Sequence, residues 1–317
     1  MRVHPAIAAL RSDRAPQRHA QAAMTAALDG WRAEPEAARV LAQFKQFGGG
    51  ARLEECPALD AMFTGQGAAE AAMASLVRHF CEGIASHPLA HPPFRNGFDG
   101  KASSLLLARS GRASLVLQAR EPGAYAYSSV TFFDDLRYEA VLAGRAEAAI
   151  LRIHGPLEQV RFTEEALALE GGVRLGLACA SEAMRVTHVE RRLVTLSLVQ
   201  ASATPNPARE YDRDTGRLLH LSAGSLATSR REMMVALLGR MQRRDAAPVL
   251  AGMALREHDR GLRWQALREC LALDTAQGFA ALARIARNPA DNLYAEAAAL
   301  HARLLEDYPQ LGEVEIA

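Results

Sequence analysis

The spacing of apolar and polar residues along the chain changes twice, near residue 100 and near residue 224. Up to about residue 88, apolar residues recur every three or four positions in Ala-rich stretches near 16–29, 34–46 and 66–85. That spacing predicts amphipathic helices. In the second stretch Val40, Leu41 and Phe44 make the stripe, with Phe47 just beyond; in the third, Ala72, Leu76, Phe80 and Ile84 do. Gly48-Gly49-Gly50 interrupts the pattern and predicts a hinge or loop.

Between about 100 and 223 the period falls towards two and strands dominate. Ser104–Ala108 and Ser114–Gln118 flank Ser110-Gly111-Arg112 and predict a β-hairpin. Strand-like runs follow at Tyr127–Phe133, Tyr138–Leu142, Ala148–Ile153, Gln159–Phe162, Leu167–Leu169, Val173–Leu177, Met184–His188, Leu193–Val199 and Arg217–Leu221. Turn signals such as Glu121-Pro122-Gly123, Gly155-Pro156, Gly171-Gly172 and Asp214-Thr215-Gly216 punctuate them. This rhythm predicts an all-β sandwich or barrel and excludes a strand–helix alternation of the Rossmann kind. From about 226 the helical period returns. Ser229 with Glu232 predicts a capping box on a helix ending near Arg243, and Asp245, Asp259, Asp274 and Asp291 are N-cap candidates for later helices.

The expected fold is therefore α+β and multidomain: a helical region and loop over 1–99, an all-β domain over 100–224, and an α-helical segment over 225–317. Ala266-Leu267, Leu271 and Asp274 recur thirty-three residues on as Ala299-Leu300, Leu304 and Asp307. With Leu262-Arg263-Trp264-Gln265-Ala266-Leu267, the C-terminal segment resembles HEAT-type helical repeats over about 80 residues. The resemblance implies a surface for a protein partner.

The β region resembles the cupin double-stranded β-helix. It does so in layout, through Leu167-Ala168-Leu169-Glu170-Gly171-Gly172-Val173, then His188, then Leu193 to Val199. The family's two histidines one residue apart, followed by a glutamate, have no match. The resemblance thus implies a cupin-like barrel or sandwich without the family's metal, binding a small ligand or none.

Composition narrows the function classes. The 317 residues carry a net charge of +1, 49% apolar and 23% charged residues, so bulk charge does not predict a nucleic-acid partner. Nearly every basic residue is Arg, as GC-rich coding yields. Cys56, Cys81, Cys179 and Cys270 are far apart and form no CxxC pair, which suits reduced thiols in a cytoplasm. No 18-residue apolar run is present, so no membrane-spanning segment and no membrane partner are expected. Walker A, GxGxxG, HExxH, GxSxG and kinase motifs are absent.

Three groups of residues remain as candidate chemistry. His188-Val189-Glu190 puts two metal-ligand types on one strand face, and His220 would complete a 2-His-1-carboxylate set for Fe(II) or another divalent metal. With Arg230 pairing a 2-oxoacid carboxylate, that set resembles the Fe(II)/2-oxoglutarate oxygenases; the plain alternative is a surface histidine beside the charged turn Glu190-Arg191-Arg192. The second group is the Pro- and Gly-rich segment from His87 to Gly100, which predicts an irregular loop. There His87, His91, Arg95 and Asp99 are ligand-binding candidates, His79 and Cys81 could join the histidines on a metal, and Phe94 and Phe98 are candidate plugs. The third is the aromatic pair Tyr125 and Tyr127, with Phe132 and Phe133, as pocket lining or plain core. Arg230, Arg231, Arg240, Arg243 and Arg244 make the first C-terminal helix basic and read as a solvated face. The leading expectation is a non-catalytic ligand-binding or protein-interaction protein without a cofactor; the alternative is a metal-dependent cupin-type enzyme.

Overall fold

A computed structural model describes residues 13–87 and 89–314, together with Pro5 and Ala8. The chain divides into two compact units. One runs to Pro205 and includes Arg209–His220; the other comprises Asn206–Ala208 and everything from Leu221. No helix among the described residues is long and apolar enough to cross a membrane.

In the first unit, helices precede the strands, among them α1 (Ala15–Ala33), α2 (Pro35–Gly49), α3 (Pro57–Thr64) and α4 (Ala68–Ser86). α1 buries Ala20, Met24, Leu28 and Trp31, and α4 buries Ala69, Met73, Leu76 and Phe80, each set at helical spacing. The glycine triplet is not a hinge. α2 continues through Gly49 and ends on Gly50 in the left-handed region at φ 115°. Gly48 is needed for a close approach: its carbonyl accepts the Arg112 amide at 2.9 Å, and a Cβ there would lie 2.1 Å from the Ser110 carbonyl oxygen.

The strands are β1 (Arg95–Phe98), β2 (Ala102–Ser110), β3 (Ala113–Arg120), β4 (Gly123–Ala124), β5 (Ser129–Phe132), β6 (Asp135–His154), β7 (Arg161–Glu170), β8 (Arg174–Ala178), β9 (Glu182–Ala201), β10 (Ala208–Asp212) and β11 (Leu218–Ser222). One sheet has the order β1-β2-β3-β9-β6-β7, with β4 beside β9 and β8 beside β6; a second has the order β11-β10-β5. The pairings are antiparallel. Two pairs of expected short strands are each one 20-residue strand, β6 and β9. The interruptions read as turns are bulges inside a continuous ribbon, where the register shifts around Ala143 and Arg145. Gly144 sits there at φ 98°, and a Cβ on it would lie 2.2 Å from the Arg192 carbonyl oxygen. Only glycine allows the two strands to touch at this bend.

The first half of that ribbon is covered by protein on one face and curls over an interior on the other. Tyr138, Ala140, Leu196, Leu198, Leu115 and Leu117 pack into one cluster with Met24, Phe44, Phe47, Met73 and Phe80 of the helices. Arg174 staples helices to sheet: its guanidinium meets both carboxylate oxygens of Glu70 at 2.8 and 2.7 Å and donates to the Gly65 carbonyl at 3.0 Å.

The second unit contains α5 (Leu226–Arg240), α6 (Ala247–Arg256), α7 (Arg260–Leu273), α8 (Thr275–Ala286) and α9 (Tyr294–Asp307). It has its own apolar cluster, including Val235, Leu250, Leu262, Leu267, Phe279, Leu282, Ile285 and Leu293. Asp259 and Asp274 cap α7 and α8 as expected, accepting the Leu262 and Gln277 amides at 2.8 and 3.0 Å. α5 starts earlier than expected, with Ser225 as its cap. Asp291 pairs with the buried guanidinium of Arg263 at 2.7 Å, and that guanidinium also donates to the Ala254 carbonyl and to Asn292.

Candidate functional site

The His87–Gly100 segment does not gather into a site. Part of it is regular: Arg95–Phe98 is β1, paired with Ser103–Leu106 of β2. Arg95 is exposed, and Phe98 is 74% exposed, so it plugs nothing. Phe94 packs edge-on against Phe80 at 5.3 Å between ring centroids. Asp99 has a local task, accepting the Lys101 and Ala102 amides at 3.0 and 2.7 Å. His87 is half-buried and His91 exposed. His79 faces the other way in function, bonding Glu34 at 2.9 Å beside Ser75 and so tying α4 to the start of α2.

The metal set is likewise not assembled. His188 and Glu190 are exposed on β9, where Glu190 lies 3.8 Å from Arg145; His220 is exposed on β11, in the other sheet. Among the described residues no three His, Cys, Asp or Glu side chains are placed to hold a metal ion, which corrects the reading of His188, Glu190 and His220 as one centre.

A different constellation emerges from strand alternation. In β6, Tyr138 and Ala140 point to the helices, so Asp135, Arg137 and Glu139 point to the interior. Across the sheet, Ser197 of β9 is opposite Glu139, and Gln118 of β3 is opposite Thr195, which continues the same inward face. Arg120 ends that face on β3. Glu139, Thr195 and Ser197 are each 1% exposed. A sheet with an apolar outer face against helices thus turns a polar face inward.

Glu139 is well held: Ser197 Oγ donates to Oε2 at 2.7 Å and Arg137 Nε donates to Oε1. Burial would push the Arg137 guanidinium down, but the Glu139 carboxylate beside it outweighs this and leaves it raised. At Arg120 and Arg185 burial prevails, although the Glu139 carboxylate acts against it at Arg120 and the Tyr127 and Glu210 side chains act against it at Arg185. Burial pushes both guanidinium groups down, and neither forms an ion pair among the described residues. Each also feels the positive charge of Arg137. Arg120 donates to Gln118 Oε1 at 3.1 Å, and Arg185 lies over the Tyr127 ring at 5.4 Å from its centroid. Burial also raises the Asp135 carboxyl, and burial with Asp135 nearby pushes the Cys179 thiol up to about 12, so that thiol is inert as a nucleophile.

Two polar atoms in this region are left over. Thr195 Oγ1 and Arg185 Nε are buried with no hydrogen-bond partner, two of three such side-chain atoms among the described residues; the third is the Tyr211 hydroxyl. An orphaned buried donor costs roughly 1–3 kcal/mol, which sets these two atoms apart from the satisfied Glu139, Ser197 and Arg137 beside them. Of the sequence candidates, Tyr127 belongs here. Tyr125 is beside it in sequence but is used structurally, donating to the Glu121 carbonyl at 2.9 Å under the Lys101 ammonium. The residues missed by the sequence reading are Arg120, Arg137, Glu139, Arg185, Thr195 and Ser197. The available signal was Asp135, Arg137 and Glu139 at alternate positions next to an apolar strand.

No family model matches the chain, and no curated protein matches its sequence. Solved structures with a related strand layout include KdgF from Halomonas sp., at 12% identity and TM-score 0.27, covering 34% of this chain and 88% of that one. A cupin superfamily protein from Desulfitobacterium hafniense matches at 18% identity and TM-score 0.24, over 36% of this chain and 86% of that one. CapF in complex with an inhibitor matches at 10% identity and TM-score 0.30, over 42% of this chain, which spans only 35% of CapF. Superpositions of this extent carry no chemistry from those proteins to this chain.

Proposed function

We propose that the first unit is a non-catalytic ligand-binding module, a degenerate cupin-like β-domain whose inward polar face takes a small organic anion. The observation that carries this reading is the pair of half-buried guanidinium groups without an ion-pair partner among the described residues, Arg120 and Arg185, together with the unpartnered Arg185 Nε and Thr195 hydroxyl on the same interior. An anion supplies what both arginines lack and a hydrogen-bond partner for what Thr195 leaves open. Tyr127 has both Arg185 and Arg213 near its ring, at 5.4 and 5.6 Å from the centroid, and gives the Arg185 guanidinium an aromatic surface to rest on. The HEAT-like pattern of the second unit supports a role for that unit in passing the ligand-bound state to a partner.

The test is a thermal-shift and calorimetry screen of the full chain against small carboxylates and phosphate esters. A ligand that binds wild type and loses about tenfold or more in Arg185→Gln and Arg120→Gln, with both variants folded, supports the reading; one charge-assisted hydrogen bond corresponds to that factor. Binding that is indifferent to both substitutions overturns it. About one transition-metal ion per chain in untagged protein, with turnover of a bound compound, overturns the non-catalytic part.

A further inference from the structure

The helix α5 is apolar on two opposite faces. Its inner face is narrow: Val235 and Gly239 are its buried residues. On the opposite side, Leu226, Met233, Met234, Leu237 and Met241 are each 55–60% exposed. At 100° per residue they fall on one arc of the helix and form a ridge, Leu226 at its start and Met233, Met234, Leu237 and the cap residue Met241 clustered over its second half, about 22 Å end to end at 1.5 Å per residue. Scattered exposed apolar residues need no explanation, but five aligned on one helix do.

Arginines lie within that ridge. Arg230 and Arg240 fall on the same arc by helical spacing, and both are exposed and without an ion-pair partner among the described residues; so is Arg244, just beyond the helix. Arg231 and Arg243, by contrast, are neutralised by Glu257 and Asp245. Residues 226–244 contain five arginines and one glutamate. The arginines alone fit a solvated face; Met233, Met234 and Leu237 between them do not.

Charge and shape decide what covers the ridge. A second copy pairing two-fold about the middle of α5 would set Arg230 of one copy against Arg240 of the other, like against like. A protein groove would have to bury Arg230 in the centre of an apolar contact, which requires a matched buried carboxylate. A lipid layer has neither difficulty. Methionine and leucine side chains enter the acyl boundary, while arginine stems lie along it and hold their guanidinium groups at the phosphates.

We propose that α5 docks the protein peripherally on an anionic lipid surface, through Leu226, Met233, Met234, Leu237 and Met241, with Arg230, Arg240 and Arg244 contacting the headgroups. This stands independently of the ligand reading of the first unit, and it replaces the expectation that the chain has no membrane partner.

The experiment is flotation of the full-length protein with vesicles of phosphatidylcholine alone and of phosphatidylcholine mixed with phosphatidylglycerol. Binding to the mixed vesicles only, weakening as salt is raised, is the expected result. Arg230→Gln with Arg240→Gln should weaken it about tenfold. Met233→Gln with Leu237→Gln should abolish it while leaving the melting temperature unchanged, since both residues face solvent. No flotation, equal flotation with neutral vesicles, or flotation that survives the Met233→Gln and Leu237→Gln pair overturns the proposal. A dimer in solution that the same pair dissociates, without flotation, reassigns the ridge to self-association. Inorganic phosphate added in excess distinguishes headgroup attraction from a simple anion site: it should compete no better than chloride at matched ionic strength.

Discussion

Each unit of the molecule buries an arginine as a staple, but the two interiors treat polarity differently. In the helical unit Arg263, 6% exposed, spends its guanidinium on the Ala254 carbonyl, Asn292 and Asp291, while its helix neighbours Leu262, Ala266 and Leu267 belong to the apolar cluster. In the first unit Arg174 is used in the same complete way, against Glu70 and the Gly65 carbonyl. The inward face of its sheet is the exception, because polar atoms are buried there without completion. A satisfied buried ion pair is architecture. Under the ligand-binding reading proposed above, the half-buried arginines of the inward face, Arg120 and Arg185, differ from Arg174 and Arg263 in that no carboxylate among the described residues pairs with them.

Breaking the staples gives the largest effects. Arg263→Ala leaves Asp291 buried and unpaired and should cost about 3–4 kcal/mol. Arg174→Ala should cost somewhat less, about 2–3 kcal/mol, because Glu70 retains one-third of its side-chain exposure. The chain carries one tryptophan in each unit, Trp31 and Trp264. Urea melts of Trp264→Phe and Trp31→Phe backgrounds therefore report the two units separately. Arg263→Ala should move the Trp264 transition and Arg174→Ala the Trp31 transition; equal movement of both in either variant would mean that the units do not unfold as distinct bodies.

A steric change comes next. Gly48→Ala drives a methyl into the Ser110 carbonyl and should lower stability by about 2 kcal/mol, read at Trp31. An unchanged midpoint would show that the hairpin can move off α2.

Thr195→Val sharpens the contrast most directly, with a smaller effect and the opposite sign. Removing an orphaned hydroxyl should stabilise the ligand-free protein by about 1 kcal/mol while weakening its anion. A loss of stability would mean that Thr195 already has its partner in the free protein.

The smallest effect is in pH. Burial acts to raise the Glu70 carboxyl, but the paired Arg174 guanidinium outweighs it and holds the group below the ordinary glutamate value near 4.5. A depressed carboxyl contributes stability above that value, and the contribution disappears as pH falls through the lower folded one. Asp135 has the opposite sign: burial raises it, so its ionisation works against folding and acidification relieves that cost. Glu70→Gln should therefore flatten the acid limb of the Trp31 transition, and Asp135→Asn should steepen it.

Much of this arrangement is legible in the sequence. The helices follow from three- and four-residue spacing, the β2–β3 hairpin from Gly111 between two alternating runs, and two of the caps from Asp259 and Asp274. The long strands are not legible, because Ala143-Gly144 and Glu190-Arg191-Arg192 look like turn residues and only pairing shows them to be a bulge. The site is hidden for a related reason. In Thr195-Leu196-Ser197-Leu198 alternation reveals two faces, and the leucines are rightly assigned to a core. Nothing local says that Thr195 and Ser197 are buried as well, since that depends on a sheet covered on both sides. Tyr127 is legible from its aromatic neighbours, whereas Arg137 and Glu139 are not, because charged residues in a strand usually mark a solvated face.

The pairing of β3 with β9 joins Ala113–Arg120 to Leu193–Gln200, and Leu196 and Leu198 complete the cluster begun by Met24 and Phe44. During synthesis from the N-terminus, α1 to α4 therefore leave the ribosome with their apolar stripes uncovered. They stay incompletely covered until somewhat more than as much chain again has followed them. The helical unit closes mostly over neighbours in sequence and has no such wait. Slowing translation ahead of residue 193 should therefore lower its soluble yield more than slowing it after residue 226.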